Sequence, residues 1–232
     1  MKLISIISFC ALLVCFPVLN VRSASLLYKH TRQDEQDGFT PLMRAAQQGQ
    51  VNVVRALLRK GVTVDAKHPA GLTALFLAAQ QGNVPIVKLL LNAGANPNVS
   101  VRTPHFGEIN PLIWGILSCN QIMVLTLIKG GAEVDPRIDG ATPLMLAVES
   151  RSLQIVNTLL RAGANVNTRG VNDYTALMVA AENSGPEIAR TLIAAGADVS
   201  LRNRFNETAL FLARKEQHTD VVAVLKRAGA KE

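Results

Sequence analysis

One spacing governs what this chain can fold into. The triplets Thr40-Pro41-Leu42, Thr73-Ala74-Leu75, Asn110-Pro111-Leu112, Thr142-Pro143-Leu144, Thr175-Ala176-Leu177 and Thr208-Ala209-Leu210 open six segments, their first residues 33, 37, 32, 33 and 33 apart. A period of that length marks a unit that cannot bury an apolar face alone and stacks on its neighbours to do so. Each first residue can cap a helix by accepting a hydrogen bond from a free N–H of the first turn. Pro or Ala follows where a helix tolerates either. Twenty-one residues after each cap stands a glycine, Gly61, Gly94, Gly131, Gly163, Gly196 and Gly229, suited to ending a helix in the left-handed conformation.

Two helical stretches fit between cap and glycine. The second carries apolar pairs at i, i+1 and i+4, i+5: Val53/Val54 with Leu57/Leu58, Ile86/Val87 with Leu90/Leu91, Met123/Val124 with Leu127/Ile128, and Ile155/Val156 with Leu159/Leu160. That pattern makes one apolar helical face. Gly49, Gly82 and Ser184-Gly185-Pro186 mark turns between the two helices, and Pro85 and Pro186 fall near the start of the second, where proline is tolerated. The expectation is an all-α solenoid of about six helix-turn-helix repeats joined by short fingers.

These features resemble the ankyrin repeat, whose usual opening is Thr-Pro-Leu-His followed by Ala-Ala and later Gly-Ala-Asp/Asn-Val-Asn. Here they stand as Thr40-Pro41-Leu42-Met43-Arg44-Ala45-Ala46 and Gly163-Ala164-Asn165-Val166-Asn167. The resemblance covers residues 38–232, with repeats near 38–70, 71–107, 108–139, 140–172, 173–205 and 206–232. The family's usual His is replaced by Met43, Phe76, Ile113, Met145, Met178 and Phe211, which exchanges a polar link between repeats for apolar packing. Repeat three diverges most, with Trp114-Gly115-Ile116 where Leu-Ala-Ala is common. Arg44, Arg214 and Lys226 replace apolar residues at the two ends, as expected of repeats that face water on one side.

Residues 3–19 form an uncharged apolar run behind Lys2, and Pro17, Val21 and Ser23 complete the pattern of a secretory signal cleaved after Ser23. Two alternatives stay open: retention of the run as a membrane anchor, and lipidation at Cys15. Residues 24–37 would then be a cap or linker, with Leu26, Leu27 and Tyr28 docking on repeat one. Removing residues 1–23 takes away Lys2 and Arg22, so the whole-chain charge of +7 falls to +5. That surplus has no dense basic block of the nucleic-acid-binding kind. Cys10 and Cys15 leave with the signal, so no internal disulfide is expected, and Cys119 reads as a small buried residue.

Function must lie on the surfaces that such a stack exposes. Lys67, Arg137, Arg169 and Arg202 each stand 27 residues after their cap, with Arg102 two positions later in its repeat; together they suggest a positive ridge for an acidic partner. Ankyrin repeats in general often hold Lys or Arg at this place, so a structural role is the competing reading. The first helices end in polar pairs that include Gln48, Gln81, Glu149 and Glu182, the character of a protein-facing surface. The four-residue excess after Thr73 lengthens one finger around His105 and Phe106, and the Phe106 ring is either a binding anchor or a cover for Trp114.

Catalysis finds no support. His30, His68, His105 and His218 are scattered, no Cys or carboxylate stands at metal-ligand spacing, and no phosphate-cradling glycine loop or Gly-x-Ser-x-Gly occurs. No cofactor or metal is called for. Asn98-Val99-Ser100 and Asn206-Glu207-Thr208 match the glycosylation pattern incidentally, since Thr208 is needed as a cap. The resemblance implies an exported, monomeric scaffold that binds a protein, periplasmic or else secreted or membrane-anchored. It is similar to exported bacterial ankyrin-repeat proteins, some of which accompany catalases or protect against secreted toxins. A secreted effector acting on a host protein is the rival reading.

Overall fold

The computed structural model describes residues 38–103, 107–183 and 185–231. The leader, the cap or linker at 24–37, His105 and Phe106 lie outside the described residues. The rest falls into two compact units dividing between Glu133 and Val134.

In the first unit the helices are α1 (Pro41–Gln47), α2 (Val51–Arg59), α3 (Ala74–Gln80), α4 (Val84–Asn92), α5 (Pro111–Leu117) and α6 (Gln121–Lys129). Each repeat is an antiparallel pair. The first helices pack in series, α1 on α3 and α3 on α5, and the second helices do likewise, α2 on α4 and α4 on α6. The second unit repeats the plan with α7 (Pro143–Glu149), α8 (Leu153–Arg161), α9 (Ala176–Glu182), α10 (Pro186–Ala194), α11 (Ala209–Lys215) and α12 (Thr219–Arg227). A 3-10 turn, Val171–Asp173, precedes α9.

All six expected caps form. The side chains of Thr40, Asn110, Thr142 and their three counterparts accept the N–H three residues on at 2.9–3.3 Å. The six glycines that end the second helices have φ of 72° to 92°, the left-handed region where a side chain would be strained. The turn between helices uses the same conformation without requiring glycine. Gly49 and Gly82 hold it in repeats one and two, whereas Cys119, Arg151 and Gln217 adopt φ of 51°, 53° and 61°. The expectation of a buried Cys119 is thereby corrected: the residue is half-buried, because it occupies an inter-helix turn rather than a core position.

The core is made above all by the second and fifth residues of each first helix, which are buried in all six, and by the apolar face of each second helix. Phe76, Ile113 and Met178, in place of the usual polar residue, are each 1% exposed. Phe211 at the same position is exposed, since no described repeat packs on it. Within the apolar pairs the depth is unequal: Val156 and Leu159 are fully buried, but Leu160, like Leu58, Leu91 and Ile128, is only half-buried. Trp114 is half-buried too, its ring edge-on to Phe76 at 6.3 Å between centroids. The lengthened finger adds a short two-stranded ribbon to the helical plan: β1 (Val101–Thr103) pairs antiparallel with β2 (Gly107–Ile109). Val101 and Ile109 face each other and are buried, so the hairpin is anchored at its base.

Candidate functional site: fingers and an acidic hollow

The fingers are tied to one another by short polar side chains. Asp65 accepts the N–H of Asn96 at 3.0 Å. Asn98 accepts the N–H of Glu133 at 2.9 Å and donates through Nδ2 to the Gly131 carbonyl at 3.3 Å. In the second unit Asp135 accepts the Asn165 N–H at 3.0 Å, while Asn167 accepts the Asp198 N–H and donates to the Gly196 carbonyl at 2.9 and 3.0 Å. Each of these four residues stands 25 positions after its cap. Backbone that would otherwise be loose is held by its neighbour.

The five basic finger residues, Lys67, Arg102, Arg137, Arg169 and Arg202, are all exposed. Two of them take part in the finger framework. Arg169 Nη1 donates to the Arg202 carbonyl at 3.0 Å and lies 3.9 Å from an Asp173 carboxylate oxygen, and Arg202 Nη1 donates to the Asn206 carbonyl at 2.8 Å. Gln48 and Gln81 are exposed C-caps of α1 and α3.

Glu149 and Glu182 behave differently. They are the last residues of α7 and α9, which pack side by side, and both line one hollow of about 50 Å³. Ala141, Met145, Val171 and Val179 supply apolar lining. Tyr174, which no sequence argument singled out, also lines it and donates its hydroxyl to Glu182 Oε1 at 2.9 Å. Its position, one residue before the cap, carries Phe39, Leu72, Ile109 and Ala141 in earlier repeats. The contrast of a large Tyr174 with a small Ala141 is the sequence signal for a recess.

Glycines set the floor. Val171 N–H donates to the Gly140 carbonyl at 2.9 Å, and a Cβ on Gly170 would lie 2.7 Å from that carbonyl oxygen and 2.8 Å from Met145 Sδ. Only the absence of a side chain lets the finger come this close.

The electrostatics follow from the burial of like charges. Desolvation, and then the neighbouring Glu182, push the Glu149 carboxyl up to about 7. Burial also raises Glu182, offset in part by the hydrogen bond from Tyr174 and by Lys215, while Glu216 and Glu207 push it further up. Burial first, and then Glu182, hold the Tyr174 hydroxyl above its ordinary range. Burial thus shifts the tyrosine and both carboxyls toward their protonated forms. Among the described residues no group of three or more His, Cys, Asp or Glu side chains is arranged to hold a metal, and no helix is long and apolar enough to cross a membrane.

Residues 20–101, 100–170 and 162–231 each match the family model described as ankyrin repeats (3 copies). A comparison with curated protein sequences returns no match. Among solved structures, the chain is similar to an ankyrin repeat domain from Acinetobacter baumannii at 27% identity and a TM-score of 0.77, covering 82% of this chain and 98% of that one. A chain from the complex of a predatory endopeptidase of Bdellovibrio bacteriovorus with an immunity protein is similar at 28% identity, with a TM-score of 0.69 and coverage of 82% and 98%. The human ASB11 ankyrin repeat domain gives 26% identity, a TM-score of 0.67 and coverage of 83% and 85%.

Proposed function

We propose, from the premise that this chain belongs to the ankyrin-repeat family, that it is an exported scaffold without catalysis of its own, binding a specific protein through its fingers and the ends of its first helices. The hydrogen-bonded fingers carry this reading. Asp65, Asn98, Asp135 and Asn167 order the segments between helices before any partner arrives. A surface ordered in advance loses less conformational freedom on binding, and affinity gains accordingly. Exposed Lys67, Arg102 and Arg137 are cations on that surface available to acidic groups of a partner. Export rests on the apolar run behind Lys2 and the small residues before Ala24, with the periplasm as the destination.

Neutralisation of a toxic or stress-related protein is a second reading, favoured by the likeness to a chain from an endopeptidase–immunity protein complex. Both readings require one protein partner. The test is capture from the periplasm with the full chain, tagged at its C terminus, beside the Phe106→Ala, Arg137→Glu double variant. Recovery of one stoichiometric protein, lost with the double variant, is the expected result. Failure to recover any specific protein overturns the scaffold reading. An endopeptidase or other toxin among the captured proteins selects the neutralising role.

A further inference from the structure

We infer that the hollow between α7 and α9 receives one basic side chain, a lysine or arginine, presented by the protein partner. The inference rests on the scaffold reading and adds the chemistry of the residue recognised.

Size excludes the usual small-molecule alternative. Pockets for drug-sized ligands run to roughly 300–1,000 Å³, and this one holds about 50 Å³, room for the end of a single side chain. Its lining is of two kinds. Ala141, Met145, Val171 and Val179 match the methylene stem of lysine or arginine, which packs well on apolar surface while its head stays polar. Glu149 and Glu182 match the head. An apolar occupant would seal two carboxyl groups from water with no cation to offset them, and an acidic one would add to the like charge.

The residues already present leave the cation's place open. Glu182 accepts the Tyr174 hydroxyl through Oε1, and half-buried Glu149 lies in the same hollow, close enough to Glu182 for the two carboxyls to interact. The hollow has no lysine or arginine in its lining. Lys215 acts on Glu182 electrostatically, but it is engaged by Glu207 at 3.3 Å. The groups facing Glu149 and Glu182 are therefore each other, Tyr174, Glu207, Glu216 and that paired Lys215. The balance is acidic. The elevated carboxyl of Glu149 is consistent with this, since a bound cation would hold it ionised.

The experiment uses the full chain with ¹³C-labelled glutamate side chains and three capped pentapeptides, Gly-Gly-X-Gly-Gly, with X as lysine, arginine or Nε-acetyllysine. The lysine and arginine peptides should shift the Glu149 and Glu182 carboxyl resonances, lower the titration midpoint of Glu149, and bind about tenfold more tightly at pH 8 than at pH 6. That factor follows from one group with a midpoint near 7 that must be ionised to bind. Glu149→Gln should abolish the pH dependence and Glu182→Gln should weaken binding, both with an unchanged helical signal. An equal response to the acetyllysine peptide, or no response to lysine and arginine, overturns the inference. The partner captured as above separates the two levels. Capture by Glu149→Gln that equals the parent at both pH values sinks the basic-residue assignment and leaves the scaffold intact. Binding of the lysine peptide without capture of any partner supports the hollow and sinks the scaffold. Concentration-dependent self-association abolished by Glu149→Gln identifies a second copy as the occupant and overturns the assignment to a different protein.

Discussion

Single residues in this protein do different work at equivalent repeat positions. The last residue of the first helix is Gln47 or Gln80 in repeats one and two but Glu149 and Glu182 in repeats four and five. The latter two share a hollow with Tyr174, which lies between them in the sequence. Glu149 gives a pH dependence whose sign is fixed by its raised midpoint. In the unfolded chain it titrates near 4.5, in the folded protein near 7. Its stabilising effect is complete below pH 4.5 and is lost as pH rises to and through 7. Water at the half-buried carboxylate screens the effect to on the order of 1 kcal/mol. Melting at pH 5 and pH 8, monitored by circular dichroism, should therefore show a difference between the two pH values smaller by roughly 2–4 °C in Glu149→Gln than in the parent. Equal differences in the two proteins would remove Glu149 from the account. Glu182, whose shift has the same sign, is present in both proteins, so the comparison reads the contribution of Glu149 together with its coupling to Glu182.

At the scale of elements, stability comes from second helices that each bury one face between neighbours. The pattern that locates this face in the sequence treats both members of a pair alike, and packing does not. Leu159 of α8 is fully buried and Leu160 is only half-buried, because a helix turns 100° per residue and the fourth member of the pattern has rotated toward the edge of the interface. Leu159→Asp should accordingly melt the second unit at a much lower temperature, or leave it unfolded at 25 °C, through loss of several kcal/mol on sealing a carboxylate among apolar groups. Leu160→Asp should be milder by roughly half. Urea titration of both variants followed by helical signal checks the order, and the reverse order would contradict the packing of α8 on α10.

At the scale of the whole molecule, the period in the sequence and the match of the family model agree over nearly all of the described chain. The leader proposed at residues 1–23 belongs to the same scale, since it would decide where the repeats operate. If cleavage follows Ser23, sequencing of the exported protein should begin at Ala24. A start at Met1 would establish the retained anchor, and a start at Cys15 the lipid-modified form.

What the sequence determined by itself was everything carried by local chemistry at a fixed interval. Thr, Asn, Pro and Gly act on the backbone within a few residues of themselves, so their recurrence located six helix starts and six helix ends without knowledge of any neighbour. It was also sufficient to nominate Glu149 and Glu182 as surface residues of interest. Tertiary structure alone decided which surface residues meet. Arg169 and Arg202 turned out to bind finger backbone, and Cys119 to hold a turn. Tyr174 reached Glu182 across eight residues. The joining of two glutamates 33 positions apart in one hollow depends on the register of α7 against α9 and on the small volumes of Ala141, Gly140 and Gly170. Register and residual volume are properties of packed neighbours, and a periodic pattern in one dimension does not contain them.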